Sequence, residues 1–154
     1  MTYLFCTELV VAFYHNHNKY MQQINYITLL ISALVGFGIG SFWYSPFLFG
    51  KEWMEGRNIS KDDIKTNSVF RSYIVQFISS VITFFVLGFI INSVGVTNSS
   101  EGAFIGALAW LGFIIPTSVS GLLWKKESWT LFLIDTVYYL LILTIGGAIL
   151  GAWR

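Results

Sequence analysis

Four stretches of the chain are apolar almost without interruption, near Ile24–Tyr44, Tyr73–Ser93, Ala103–Leu123 and Trp129–Leu150. A helix needs about 20 apolar residues to cross the hydrocarbon core of a bilayer, and each stretch has that length. They are continuous runs, whereas membrane barrel strands are about 10 residues long and alternate in polarity. The pattern therefore predicts an all-α, polytopic bundle of four transmembrane helices. Residues 21–154 form a single domain on this reading. Polar positions gather between the runs, in Ser45–Ser72, Val94–Glu101 and Trp124–Ser128.

Composition narrows the class. The chain is 55% hydrophobic and 11% charged, with a mean hydropathy of +0.67. A soluble domain is about a quarter charged, so a soluble enzyme and a disordered chain are both excluded. A single cysteine, Cys6, excludes a disulfide scaffold, and a net charge of +1 gives no reason to expect nucleic acid. Every formally charged residue lies outside the four spans except Asp135. Lys51, Arg57, Lys61, Lys65, Arg71, Lys125 and Lys126 fall on one side, against Lys19 and Arg154 on the other. By the positive-inside bias, loops 45–72 and 124–128 are expected in the cytoplasm of an inner-membrane protein, with both termini external. Trp43, Tyr44, Trp53, Trp124 and Trp129 are expected at the inner interface and Trp153 at the outer one.

Residues 1–20 read as a tail, disordered or lying upstream of a true start at Met21. Their apolar run is broken by Glu8 and lacks the basic start of a signal peptide. His15 and His17 have no third ligand at suitable spacing, so no metal and no cofactor are expected. In the largest loop, Ser60 and Asp63 fit a capping box. Before them, Phe47, Leu48, Phe49, Trp53 and Met54 alternate with Lys51, Glu52 and Glu55, which suits a segment in the headgroup region or a greasy loop packed under the bundle.

Within the spans, small residues recur at four-residue spacing: Ser32, Gly36 and Gly40, then Gly102 and Gly106, then Gly147 and Gly151. Such ridges let helices approach closely in lipid, within one chain or between copies. Polar residues concentrate toward the cytoplasmic ends. Gln76, Ser79 and Ser80 share a face of the second helix, and Pro116 is followed by Thr117 and Ser118 on the third. Pro116 removes a backbone donor and is expected to leave the carbonyl of Gly112 free. Asp135 lies six residues past Trp129, about 9 Å along the helix, with Tyr138 and Tyr139 on the turn after it. A carboxylate there needs a cation or several donors. Arg71, Gln76, Tyr138, Tyr139 and the serines are the expected ones, with Asp135 facing the interior at the level of Gln76.

Several strings carry a resemblance. They are Asn25-Tyr26, then Trp43-Tyr44-Ser45-Pro46 with Phe49-Gly50-Lys51-Glu52-Trp53-Met54, then Glu101-Gly102-Ala103, Trp110-Leu111-Gly112-Phe113, Pro116-Thr117, and Gly146 through Trp153. Over about Asn25–Trp153 the chain resembles the bacterial membrane proteins grouped as domain-of-unknown-function family 1761. The resemblance implies a four-helix membrane protein and supplies no activity or catalytic residue.

An ionisable residue in a span is a functional candidate, yet no second acid, Ser–His pair or Cys–His pair accompanies Asp135. A non-enzymatic accessory or assembly subunit is therefore expected. Its partners would be the bilayer and either further copies or another membrane protein. The alternative is a homo-oligomeric transporter or channel with a cytoplasm-facing polar cavity around Asp135.

Overall fold

The computed structural model describes residues 25–60 and 68–153, which hold five helices and no strand. In chain order these are α1 (Tyr26–Trp43), α2 (Gly50–Gly56), α3 (Ser68–Val94), α4 (Ser99–Trp124) and α5 (Trp129–Ala152). All but α2 are long and apolar enough to cross a membrane, which makes the chain a multi-pass membrane protein. The N-terminal tail with Cys6, His15 and His17, the start at Met21, and Asp63 of the expected capping box lie outside the described residues.

Polar side chains set the helix ends. Asn25 accepts from the backbone N–H of Ile27 at 3.1 Å and Thr28 at 3.3 Å, starting α1. Asn98 accepts from Glu101 N–H at 2.9 Å, while the Glu101 carboxylate reaches back to Thr97 N–H at 3.0 Å. Ser128 caps α5 through Leu131 N–H at 3.2 Å. Each satisfies donors that a helix start leaves open. At the far end of α3, Gly95 adopts φ +79°. Its N–H returns to Asn92 O and that of Val96 to Ile91 O, a Schellman closure that glycine permits without strain.

α5 is the central helix and packs against α1, α2, α3 and α4. Around it Ala33, Phe84, Leu87, Ile91, Tyr138, Ile142 and Leu143 form the buried core. The small-residue ridges all turn inward, within one chain. A methyl on Gly102 would strike the carbonyl of Gly147, and one on Gly106 the carbonyl of Leu143. Gly151 lies against Asn98 and Gly102. Gly36 sits under the Phe84 ring and Gly40 under Tyr138. The fully buried Ser32 hydroxyl donates to Thr28 O at 2.9 Å, so that group is not stranded in the hydrocarbon. The outer faces expose Leu34, Ile78, Ile82, Phe104, Leu111 and Leu133. So large an apolar surface is tolerable only against lipid.

The third span changes helical register just before Pro116. The five residues Trp110–Ile114 form a π-helical turn, with Ile115 N–H bonded to Trp110 O. The Thr117 hydroxyl donates to Phe113 O at 2.6 Å and Ile114 O at 2.9 Å. The π turn and the Thr117 hydroxyl together supply donors to the carbonyls of Trp110, Phe113 and Ile114. Trp110 reaches sideways from this turn, its indole N–H donating to Thr136 O at 2.7 Å.

Candidate functional site

The site begins where α1 stops. The indole N–H of Trp43 donates to Ile134 O on α5 at 3.1 Å, which fixes the end of α1 beside the carboxylate of Asp135. The chain then reverses through Ser45-Pro46-Phe47-Leu48-Phe49. Leu48 and Gly50 N–H both bond to Ser45 O, and Phe49 N–H bonds to Trp43 O. Gly50 closes the turn because a Cβ there would overlap the carbonyls of Tyr44 and Ser45. The Phe49 ring lies 4.6 Å from that of Trp43. This return brings α2 beneath the bundle. Trp53 and Arg57, four residues apart, share the face of α2 that looks at α5. A second Schellman closure, with Asn58 at φ 55°, Asn58 N–H on Glu55 O and Ile59 N–H on Met54 O, ends α2 just beyond Arg57.

Three donors converge on Asp135. The Tyr44 hydroxyl donates to Oδ1 at 2.8 Å, the Trp53 indole N–H to Oδ1 at 3.1 Å, and Arg57 Nη2 to Oδ2 at 2.7 Å. The guanidinium also lies 3.5 Å from Glu127 and over the Trp53 ring, 5.4 Å from its centroid. Tyr44 packs edge-on against Trp53 and Tyr138, at 5.4 and 5.2 Å. Burial first, and the adjacent Asp135 second, raise the Tyr44 phenol far above its usual range, so it remains a donor at physiological pH.

These are not the donors expected from the spans. Arg71 is exposed on α3 and makes no bond to Asp135, its place being taken by Arg57. Gln76, Ser80, Tyr138 and Tyr139 border the same cleft as Asp135 without bonding to it. Ser79 donates to Val75 O and Thr117 to its own helix, so both hydroxyls are satisfied locally. Neither they nor Ser118 line the cleft. Periodicity within spans finds residues that share a helix face, and it misses a loop that returns. Trp43, Tyr44 and Trp53, expected as interfacial rings, instead point into the protein. Trp124, Trp129 and Trp153 are exposed. Around Met54, α2 packs against α5, while Phe47 at the turn is 91% exposed.

The cleft has a volume of about 610 Å³ and lies between the C-terminal half of α1 and the N-terminal half of α3, with α5 as its floor and Trp53, Met54 and Arg57 at one end. Among the described residues no group of three or more His, Cys, Asp or Glu could hold a metal. The strings noted in the sequence now have physical roles. Asn25 and Glu101 serve helix starts, Gly102, Gly147 and Gly151 serve the α4–α5 seam, and Trp43 through Trp53 bring the donors to Asp135. No curated protein and no solved structure matches the chain. A family model described as "Protein of unknown function (DUF1761)" matches residues 27–151, and the chain belongs to that family.

Proposed function

We propose that the chain is a non-enzymatic accessory or assembly subunit of the cell inner membrane. The observation that carries this reading is the state of Asp135. Both oxygens of its carboxylate accept hydrogen bonds from side chains of the same chain. Its charge is paired with Arg57 and holds α2 under the bundle. The result is a shaped inner surface, with Phe47, Lys51, Glu52 and Glu55 exposed, suited to contact with another membrane protein or a second copy. A homo-oligomeric transporter or channel is the second reading, favoured by the cleft beside Asp135 with Gln76, Ser80, Tyr138 and Tyr139 on its walls. Liposomes holding the purified chain, challenged with ions and small solutes, separate the two. The accessory reading expects no selective flux. Selective flux that disappears in Asp135→Asn would overturn it in favour of transport.

The proposed orientation places loops 45–72 and 124–128 in the cytoplasm and both termini outside, because seven of the nine Lys/Arg lie in or beside those loops. In a Cys6→Ser background, an impermeant thiol reagent added to intact cells should label Asn98→Cys and spare Asp62→Cys. The opposite labelling pattern would reverse the topology.

A further inference from the structure

We propose that the cleft between α1 and α3 binds an uncharged, ring-bearing amphiphile of the quinone class, taken up laterally from the bilayer. This goes beyond the accessory reading and requires no transport. Its size comes first: about 610 Å³ falls within the 300–1,000 Å³ typical of small-molecule sites.

The charge of the ligand follows from the groups at one end. Arg57 and Asp135 lie 2.7 Å apart and neutralise each other. A bound cation would have to displace Arg57 from Asp135, and a bound anion would have to displace Asp135 from Arg57. Either exchange gives up an ion pair the fold already makes. An uncharged ligand leaves the pair intact.

Its hydrogen-bonding character follows from the polar groups that the fold does not use. The hydroxyls of Ser41 and Ser80 are committed to the carbonyls of Phe37 and Ala33. Tyr138 is different. It is only 5% exposed, it borders the cleft, and its hydroxyl has no hydrogen-bond partner among the described residues. Buried phenols ordinarily find one. Tyr139 and the Gln76 amide, beside it in the cleft, are likewise without partners among the described residues. Two phenolic donors and an amide match the carbonyl oxygens of a quinone.

The walls account for the ring. Phe37, Tyr73, Tyr138 and Tyr139 present aromatic faces and edges, with Phe37 packed edge-on to Tyr73 at 6.0 Å and Tyr138 tilted against Tyr139 at 5.1 Å. A flat ring gains offset or edge contacts there that an acyl chain does not. Tyr73, 51% exposed at the edge of α3, marks a mouth on the lateral surface, from which an alkyl tail can extend into lipid.

The test uses the full chain in nanodiscs and decylubiquinone as probe, with signal from empty nanodiscs subtracted. Saturable binding at one site per chain is expected. Tyr138→Phe should weaken it about 3- to 10-fold, the effect of losing one hydrogen bond. Ser41→Trp, which places an indole across the mouth from an exposed position on α1, should abolish it. Both variants should unfold close to the wild-type temperature, because Ser41 is exposed and Tyr138→Phe keeps the ring that packs on Gly40. Absence of saturable decylubiquinone binding by the wild type would overturn the proposal, as would undiminished binding by both variants. Equal or tighter binding of decyltrimethylammonium would overturn the uncharged class, and equal binding of monodecanoylglycerol the requirement for a ring.

Discussion

Gly106→Leu is expected to leave no folded bundle in detergent or lipid, and Gly106→Ala to cost about 1–3 kcal/mol, the usual range for overpacking. In lipid, apolar side chains gain nothing by leaving hydrocarbon for a helix interface, so helices associate through close backbone approach. The α4–α5 seam is built that way. A Cβ on Gly106 would meet the Leu143 carbonyl and lie 3.1 Å from Thr144 N, and both neighbours are backbone. Backbone inside a helix cannot rotate aside as a side chain can, so the whole of α4 must lift away. Gly102 faces Gly147 under the same constraint. Two glycines provide the control. Gly38 and Gly112 have no atom within 4 Å of a built Cβ. Alanine at Gly38 should be neutral or stabilising, by up to about 1 kcal/mol from helix propensity. Denaturant-induced unfolding of purified Gly106→Ala and Gly38→Ala reads the difference. If Gly106→Ala and Gly38→Ala unfold alike, the seam does not hold the bundle together.

That seam was legible in the sequence because four-residue spacing of glycine has few other uses in a span. The same holds for the four helices, since hydrocarbon imposes their length and apolar composition. Their limits were less legible. α3 starts at Ser68 and α4 at Ser99, each several residues before the apolar run. The polar residues that open a helix, Asn98 and Glu101 among them, lower its hydropathy while stabilising its first turn. Asp135 was found by its charge alone, and its inward direction followed from the cost of facing lipid. Its partners were not found. Tyr44, Trp53 and Arg57 come from a loop return whose turn depends on Ser45 and Gly50. No periodicity links that loop to α5, and aromatic residues near a span end ordinarily mark the interface. The string from Trp43 to Trp53 did carry the information, but as a pattern without a stated contact.

Asp135→Leu is expected to destabilise the fold by about 1–3 kcal/mol, the cost of leaving hydrogen-bond donors unsatisfied, and to release α2 from the bundle. The argument rests on which donors have an alternative. Arg57 is 35% exposed and retains Glu127, so solvent and the second acid soften its loss, and its ion pair alone would count for little. Tyr44 and the Trp53 indole are more enclosed and have no other acceptor among the described residues. Asp135→Asn should be milder. The amide oxygen can occupy the position of Oδ1 and accept from both Tyr44 and Trp53, while the amide nitrogen faces Arg57 and forfeits only that contact. The order of stability should therefore be wild type, then Asn, then Leu. Tyr44→Phe and Trp53→Phe should each lose less than Leu, because each removes one donor along with its need. Limited proteolysis of the loop after α1, which reads local opening of α2, should follow the same order, with Asp135→Leu cleaved fastest between residues 45 and 60. If Asp135→Leu were as stable as the wild type and that loop equally resistant, the carboxylate would not be what holds α2 in place. The accessory reading, which rests on that role, would fall with it.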